Sequence, residues 1–284
     1  MIALVRTEFT KAVVRLRTLI IVIILVALPT LIVVAIHARG NRVRDRGDAG
    51  EGLIRLAHQS GLLVPAALLG GFLSGFLLVV IAGTFAGDSV AGDAAWGNLR
   101  YLLMRPVPRG RLLFAKAFTA GALIWICTVL VMLTAAAGGV ILFGAHPVTV
   151  PGNFDLTTFT TNGGFVLSTS TLLARTALAT AYVAFGYSAL LALGVFFSTL
   201  TDVAAGAIGA TIGVYIISEI LGAITQLGTI RYAFPTYYLD SWQSMFTSNS
   251  YSHDMIAGVI VQCGYLVVFG TAAIVWFKRK DIRS

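Results

Sequence analysis

Charged residues are scarce in this sequence. Only 11% of its 284 residues are Asp, Glu, Lys or Arg, whereas 57% are hydrophobic and the mean hydropathy is +0.88. A soluble domain carries roughly 25% charged residues to cover its surface. The deficit excludes an ordinary water-soluble fold and indicates a protein whose surface is solvated largely by lipid.

Patterns for catalysis and metal binding are also missing. Cys127 and Cys263 each lie inside an apolar block without metal-ligand spacing, which favours a packing role. None of the four lysines stands in G-x-x-x-x-G-K-[ST], so the chain has no P-loop for a nucleotide. The four histidines fall in loops or at the ends of apolar blocks, away from any serine that they could activate. We therefore expect a non-catalytic chain that binds no cofactor or metal directly.

The net charge of +8 does not indicate a nucleic-acid partner. The basic residues lie between apolar blocks, and no aromatic residues alternate with them as stacking platforms. Lys and Arg in such positions are retained on the cytoplasmic side of a membrane and contact anionic lipids. The charge therefore predicts topology and membrane lipids as partners.

Six apolar blocks are long enough to cross a bilayer, since a hydrocarbon core of about 30 Å needs roughly 20 helical residues. Backbone groups in lipid must be satisfied within the segment, so each block should be helical. The sequence predicts an all-α integral membrane protein, residues 1–284 forming one transmembrane domain. Its predicted spans are residues 18–37, 62–84, 114–143, 177–200, 203–225 and 256–277.

Two further segments are predicted to lie at the membrane surface. Residues 2–17 place apolar side chains at helical spacing beside Arg6, Lys11, Arg15 and Arg17, which favours an interfacial amphipathic helix over a simple extension of the first span. Residues 228–255 are rich in aromatic side chains, which are typical of the interface. A re-entrant or surface-lying helix is expected after Pro235.

Counting basic residues gives the orientation. With both termini in the cytoplasm, 13 of the 20 Lys and Arg residues lie on the cytoplasmic side, although five arginines in residues 38–60 oppose this assignment. Arg outnumbers Lys by 16 to 4, which indicates a bacterial genome rich in G and C and hence a location in the bacterial plasma membrane.

The segment between the second and third blocks is the most informative. It reads GDSVAGDAAWGNLRYLLMRPVPRGRLLFAKA over residues 87–117. Trp96, Leu99, Leu102 and Leu103 recur at three- and four-residue spacing, with Asp93 and Arg105 toward other faces. Pro106 and Pro108 should end that helix. A short amphipathic helix is therefore predicted at the cytoplasmic surface.

This segment resembles the first cytoplasmic loop of type-2 ABC exporter permeases, where an acidic residue precedes Gly, apolar residues, a Pro-Val motif and a Lys that opens the next span. FPTYYLDSW at residues 234–242 is a weaker similarity to their external segment. The resemblance implies that residues 92–105 form the coupling helix that docks on a separate ABC ATPase subunit, which would bind the ATP and Mg. It also implies a second permease subunit, identical or paralogous. The coupling residues would be Asp93, Trp96, Leu99, Arg100, Leu102, Leu103 and Arg105.

The expected function is the transmembrane permease subunit of an ATP-driven exporter of hydrophobic or amphipathic substrates such as drugs, lipids or peptide-like molecules. Glu219 is the one clear ionisable residue inside a span, with Gln226 about two turns later. It could line the substrate path or carry a proton, or it could be a protonated packing residue. The alternative function is a stand-alone secondary transporter or channel, which predicts several buried charges along a path.

Glycines recur four residues apart at Gly83 and Gly87 and again at Gly209 and Gly213. Small residues at this spacing let helix backbones approach closely. They could form a dimer interface, but packing within the chain is the favoured interpretation.

Overall fold

The described part of the chain is almost entirely helical. The computed structural model describes residues 2–39, 57–70, 73–95, 108–151, 164–247 and 253–280. Its first elements are α1 (Ile2–Val13), α2 (Leu16–Arg39), a 3-10 turn (Gly61–Leu63), α3 (Val64–Leu69), a π-helix (Leu73–Leu78), α4 (Val79–Ala95) and α5 (Arg109–Phe143). There follow β1 (Val148–Pro151), β2 (Gly164–Leu167), α6 (Thr169–Gly186), α7 (Ser188–Leu200), α8 (Ala204–Ala223), two 3-10 helices (Thr225–Ala233 and Leu239–Gln243), α9 (Ser244–Thr247) and α10 (His253–Arg279).

Six helical segments of the described residues are long and apolar enough to cross a membrane, which confirms the predicted fold class. They are Leu16–Ala38, Gly75–Ala95, Arg109–Phe143, Thr169–Leu200, Ala204–Ala223 and His253–Arg279. At 1.5 Å per residue, the 35 residues of α5 extend over roughly 50 Å, well beyond a hydrocarbon core of about 30 Å. The basic first turns of α5 can therefore reach past the membrane surface.

The second span differs from its prediction. The apolar block 62–84 contains the 3-10 turn and α3, and the helix that is long and apolar enough to cross the membrane is Gly75–Ala95. Pro65 lies in the first turn of α3, and Gly70 ends this short helix before the span begins. Because all these residues are apolar, composition alone could not locate the break. The predicted coupling helix 92–105 consequently overlaps the last turn of α4, and its residues 96–105 lie outside the described part of the chain.

Other boundaries differ by smaller amounts. The interfacial helix predicted for residues 2–17 ends at Val13, and a bend separates it from α2. The third span begins at Arg109 rather than 114, and the fourth at Thr169 rather than 177. Ser168 fixes this earlier start, since its hydroxyl accepts a hydrogen bond from Thr171 N at 3.3 Å.

The fourth span is broken at Tyr187, between α6 and α7. Gln262 of α10 supports this break, because its Oε1 accepts a hydrogen bond from Ala189 N at 3.1 Å and its Nε2 donates to Pro235 O at 2.7 Å. The Gln262 side chain is only 3% exposed. One buried amide thus joins the broken helix to the segment between the fifth and sixth spans.

That segment contains no long helix among its described residues. The 3-10 helix Leu239–Gln243 packs on α6 and α10, the single turn of α9 packs on α6, and the 3-10 helix Thr225–Ala233 contacts α8. Tyr182 Oη donates to Tyr238 O at 2.8 Å. Re-entry of this segment into the membrane stays a prediction. The antiparallel pair β1 and β2, with Val148 opposite Leu167, was not anticipated from the sequence.

Helices α4 and α8 pack closely at the glycine pair Gly83 and Gly87. The Cα positions of Gly83 and Gly87 face Ile212 and Ile208 of α8, and a Cβ on Gly87 would lie 2.7 Å from Ile208 N. Any larger residue at Gly87 would force α4 and α8 apart. The pair therefore packs within the chain, whereas no heavy atom of the described residues lies within 4 Å of a Cβ placed on Gly209 or Gly213.

Candidate functional site

Several helix ends meet on one surface, here called the basic end: α1, the end of α4, the start of α5, the turn between α7 and α8, and the end of α10. Arg109 donates to the carbonyls of Lys278 and Lys280 at 3.2 and 3.0 Å. Lys280 Nζ lies 2.6 Å from Asp202 Oδ1, in the turn between α7 and α8. The start of α5 and the last two spans are therefore joined at this end.

Asp93 occupies the last turn of α4 and is only 3% exposed. It pairs with Lys116, which lies two turns into α5 and is also buried. Lys11 Nζ and Arg15 Nη2 lie 3.6 and 3.4 Å from the other carboxylate oxygen. The carboxylate is thus held by cations from α1, α5 and the bend after α1.

Glu8 completes this network from α1. Its carboxylate is 8% exposed and lies 3.0 Å from Lys116 Nζ, so one ammonium group bridges Glu8 and Asp93. Buried charges need paired and hydrogen-bonded partners because desolvation otherwise costs several kcal/mol per ion. The pairing therefore requires α1, α4 and α5 to keep their relative positions.

Asp88 forms a neighbouring pair one turn earlier in α4. Arg15 Nη1 lies 2.8 Å from Asp88 Oδ2, and Arg17 pairs with the same carboxylate. Arg15 thereby contacts both Asp88 and Asp93. The seven side chains Glu8, Lys11, Arg15, Arg17, Asp88, Asp93 and Lys116 are called the ion cluster below.

The ion cluster leaves little space for a ligand. The cavity among these side chains has a volume of about 40 Å³. Three carboxylates and four cations lie around it, and the described contacts pair each carboxylate with at least two cations. Such an arrangement is suited to holding helices together rather than to binding a substrate.

A second contact ties α4 to α7 beside the ion cluster. The buried hydroxyl of Ser198 accepts hydrogen bonds from Val90 N at 2.9 Å and Ala91 N at 2.8 Å. Both amides lie within one turn of Asp88 and Asp93. A displacement of the end of α4 would therefore be transmitted to α7, the helix that begins directly after the break at Tyr187.

Only one of the predicted coupling residues lies in the described part of the chain. Asp93 is buried in the ion cluster and so cannot itself offer a surface to a partner. The other predicted coupling residues lie outside the described residues: Trp96, Leu99, Arg100, Leu102, Leu103 and Arg105. The ion cluster nevertheless holds the helices on both sides of that segment, through Asp93 before it and Lys116 after it.

Glu219 faces a second cavity, of about 130 Å³, away from the basic end. Tyr187 and Tyr215 line this cavity, and so do Asp240 and Trp242 from the segment between the fifth and sixth spans. Gln226, expected near Glu219, lies beyond the end of α8 in the following 3-10 helix. Asp240, rather than Gln226, therefore lies at the same cavity as Glu219.

The environment of Asp240 disfavours its charged form. The protein packed around the cavity reduces the hydration of the Asp240 carboxyl and raises its pKa, while the nearby Trp242 indole opposes this shift. Both carboxyl side chains remain exposed, as groups facing an open cavity should be. They are therefore accessible from outside the chain.

Little in the sequence indicates the ion cluster or the meeting of Glu219 with Asp240. The spacing of residues 2–17 predicts Lys11, Arg15 and Arg17 on the polar side of an interfacial helix. In the structure their partners are Glu8 and acidic residues on α4 that are 71 or more positions away. The usable indication was Glu8, an acidic residue on the face of α1 that packs on the bundle. Asp240 could have been found only as a charge within the aromatic segment FPTYYLDSW.

A comparison with known families settles the class of the chain. The sequence profile of the ABC-2 family transporter proteins matches residues 2–282, which is nearly the whole chain. No curated protein sequence matches it significantly. The match agrees with the six candidate spans and with the resemblance noted around residues 87–117. This chain therefore belongs to the ABC-2 transporter family and is the multi-pass membrane permease component of an ABC transporter, a class that works with an ABC ATPase subunit.

Proposed function

We propose that this permease couples ATP hydrolysis on a separate ABC ATPase to the export of a hydrophobic or amphipathic substrate. The observation that carries the proposal is the attachment of Asp93 and Lys116 to each other and to α1. These two residues flank the segment 96–107. A partner that grips this segment would act on helices already joined by buried charge pairs.

Coupling follows from this attachment. Closure of the ATPases on ATP would push on residues 96–105. The ion cluster would prevent that segment from moving independently of α4 and α5. The displacement would then pass to α4 and α5 and, through the Ser198 hydroxyl, to α7. Rigid-body movement of packed helices is a common way for a local push to change the exposure of a distant site.

The basic end is proposed to face the cytoplasm, so both termini would be cytoplasmic. Cytoplasmic segments of membrane proteins carry an excess of Lys and Arg. This end carries Arg6, Lys11, Arg15, Arg17, Arg109, Arg111, Lys116, Lys278, Arg279 and Lys280, whereas the described residues at the opposite end include only Arg39, Arg175 and Arg231. A cytoplasmic basic end would place the segment 96–107 where an ATPase can reach it.

The remaining assignments belong to the same proposal. The chain itself would be non-catalytic, with ATP and Mg bound by the ATPase. A second permease copy or a paralogue would complete the translocation path in a bacterial plasma membrane. Many apolar side chains on the outer faces of α2, α8 and α10 are exposed in the isolated chain, which suits contact with lipid and with such a subunit.

Purification of the chain with a candidate ABC ATPase tests this proposal. We expect the ATPase to co-elute, and ATP to drive accumulation of a fluorescent amphiphile in inverted vesicles. Leu99→Asp with Leu102→Asp should abolish both. Ile230→Asp, a comparable exchange at the opposite end, should leave both unchanged.

Two results would overturn the proposal. One is a double variant that still binds the ATPase and still transports. The other is transport by the chain in vesicles without any ATPase. The second result would favour the alternative of a stand-alone secondary transporter. The observation that keeps this alternative in view is the pair of carboxyls, Glu219 and Asp240, at one cavity.

A further inference from the structure

The cavity that Glu219 and Asp240 share has the features of a ligand site rather than of a packing defect. It lies where the break at Tyr187 meets α8 and the 3-10 helix Leu239–Gln243. Its volume of about 130 Å³ is close to that of cavities of about 150 Å³ that bind benzene in other proteins. A group of benzene size would therefore fit.

Among the described residues, the two carboxyls lack a cationic partner. In the described part of the chain, no Lys, Arg or His lies within 4.0 Å of either carboxyl group. The groups beside them are neutral: the Thr236 hydroxyl near Glu219 and the Trp242 indole near Asp240. This contrasts with the ion cluster, where several cations surround each carboxylate. Two carboxyls at one cavity repel each other when both are ionised, so a cation between them would be stabilised.

Aromatic side chains form the rest of the polar lining. Tyr187 and Tyr215 are almost fully buried beside the two carboxyls, and Trp242 is completely buried. The Nε1 of Trp242 makes no hydrogen bond of ordinary geometry among the described residues. Aromatic rings attract cations through their π faces, and organic ammonium groups are bound by such rings in combination with carboxylates.

The cavity can be reached from outside the chain. Glu219 lies on α8 next to the outward-facing Ile216 and Ile220, which are 50% and 58% exposed. An apolar tail could thus lie along these residues while a charged head group enters between Glu219 and Asp240. A head group alone fits the volume, whereas a whole amphiphile does not.

We propose that this cavity binds the organic ammonium group of a cationic amphiphile, with Glu219 and Asp240 as the countercharges and Tyr187, Tyr215 and Trp242 as the aromatic walls. The proposal rests on the proposed function, since it names the chemical class of the exported substrate. Net positive charge and apolar volume together distinguish such a ligand from a lipid with an anionic head group and from a neutral amphiphile.

Binding to the purified chain in nanodiscs of neutral lipid tests the site without any ATPase. The probes are benzyltrimethylammonium and its uncharged isostere neopentylbenzene, measured by equilibrium dialysis at neutral pH. We expect the ammonium probe to bind at least tenfold more tightly than the isostere. Glu219→Gln and Asp240→Asn should each weaken ammonium binding about tenfold, and the double variant should weaken it further.

Asp254→Asn is the matched control, because Asp254 is an exposed carboxylate near the same end that does not line the cavity. Its ammonium affinity should stay within twofold of that of the parent protein. Equal binding of the two probes, unchanged affinity in Glu219→Gln and Asp240→Asn, or displacement of the ammonium probe by sodium at equal concentration would overturn the proposal.

This experiment separates the site from the coupling mechanism. Selective ammonium binding without ATP-driven transport would contradict the proposed function and leave the site intact. ATP-driven transport with no carboxylate-dependent ammonium binding would contradict the site alone.

Discussion

Lys116 Nζ lies 3.0 Å from Glu8 Oε2, although 108 positions separate the two residues in the chain. The same ammonium group pairs with Asp93, so three helices depend on one buried cation. The consequences for stability can be tested by removing the charges one at a time.

Lys116→Met keeps the length of the side chain but leaves Glu8 and Asp93 without their shared partner. Removing one member of a buried ion pair costs about 3 kcal/mol or more, because the remaining charges stay desolvated. We expect thermal unfolding in detergent to show a large loss of stability. Lys278→Met, at an exposed position on the same end, is the control and should have almost no effect.

The double variant Glu8→Gln with Lys116→Met tests whether the loss arises from unpaired charge. Neutralising one of the two abandoned carboxylates should recover part of the stability that Lys116→Met loses. An additive loss in the double variant would contradict the pairing described for the ion cluster.

The loss of stability on removing a carboxylate should be larger where the carboxylate is more deeply buried. Asp93 is buried and surrounded by Lys11, Arg15 and Lys116, so Asp93→Asn should cost about 3 kcal/mol. Asp202 is 69% exposed in its pair with Lys280, and exposed pairs contribute under about 1 kcal/mol. Chemical or thermal unfolding of the two variants under the same conditions measures the difference. Equal losses would show that Asp93 is hydrated in the native protein.

The spans could be predicted from the sequence, but the sites could not. Hydropathy identified six helices because lipid imposes a minimum length of apolar sequence on each of them. The break before Gly75 was missed because the residues on both sides are equally apolar. Glu8, Asp93 and Lys116 meet only through tertiary contacts between distant helices, and no local spacing indicates such a meeting.

For Glu219, the sequence singled out the residue but could not assign its role or its neighbour. Its position inside an apolar block predicted a special role, which left substrate contact, proton transfer and packing all open. The structure adds Asp240, whose position near α8 depends on the irregular chain between Thr225 and Thr247. No periodic pattern could have paired the two carboxyls.

Gln262→Leu should destabilise the break in the fourth span. The substitution keeps the volume nearly constant but leaves Ala189 N and Pro235 O without their partner. An unsatisfied buried backbone group costs about 1–3 kcal/mol. We expect lower thermal stability and faster hydrogen exchange of the Ala189 amide than in the parent protein, measured by mass spectrometry. Unchanged exchange at Ala189 would show that the amide has another partner.

The stability of the ligand-free protein should fall as pH rises above the ordinary titration range of an aspartate. The pKa of Asp240 is raised by reduced hydration in the folded protein, so the folded state holds this proton more tightly than the unfolded state. Its stabilising contribution is present at low pH and is lost as pH rises through the raised pKa. Other ionisable groups at the cavity are Glu219, Tyr187 and Tyr215.

Asp240→Asn removes this ionisable carboxyl group and should therefore make the stability of the protein less dependent on pH. Melting temperatures of the two proteins measured between pH 4 and pH 8 should diverge with rising pH, the variant becoming the more stable relative to the parent. A constant difference across this range would contradict the raised pKa.

The segment between α4 and α5 is proposed to be the contact for an ABC ATPase. A photocrosslinking benzoylphenylalanine in place of Leu99, in cells that also contain the ATPase, tests this contact. We expect a covalent adduct with the mass of the permease plus the ATPase, absent when the same group replaces Ile230 at the opposite end. A complex that forms normally but gives no adduct from position 99 would contradict it.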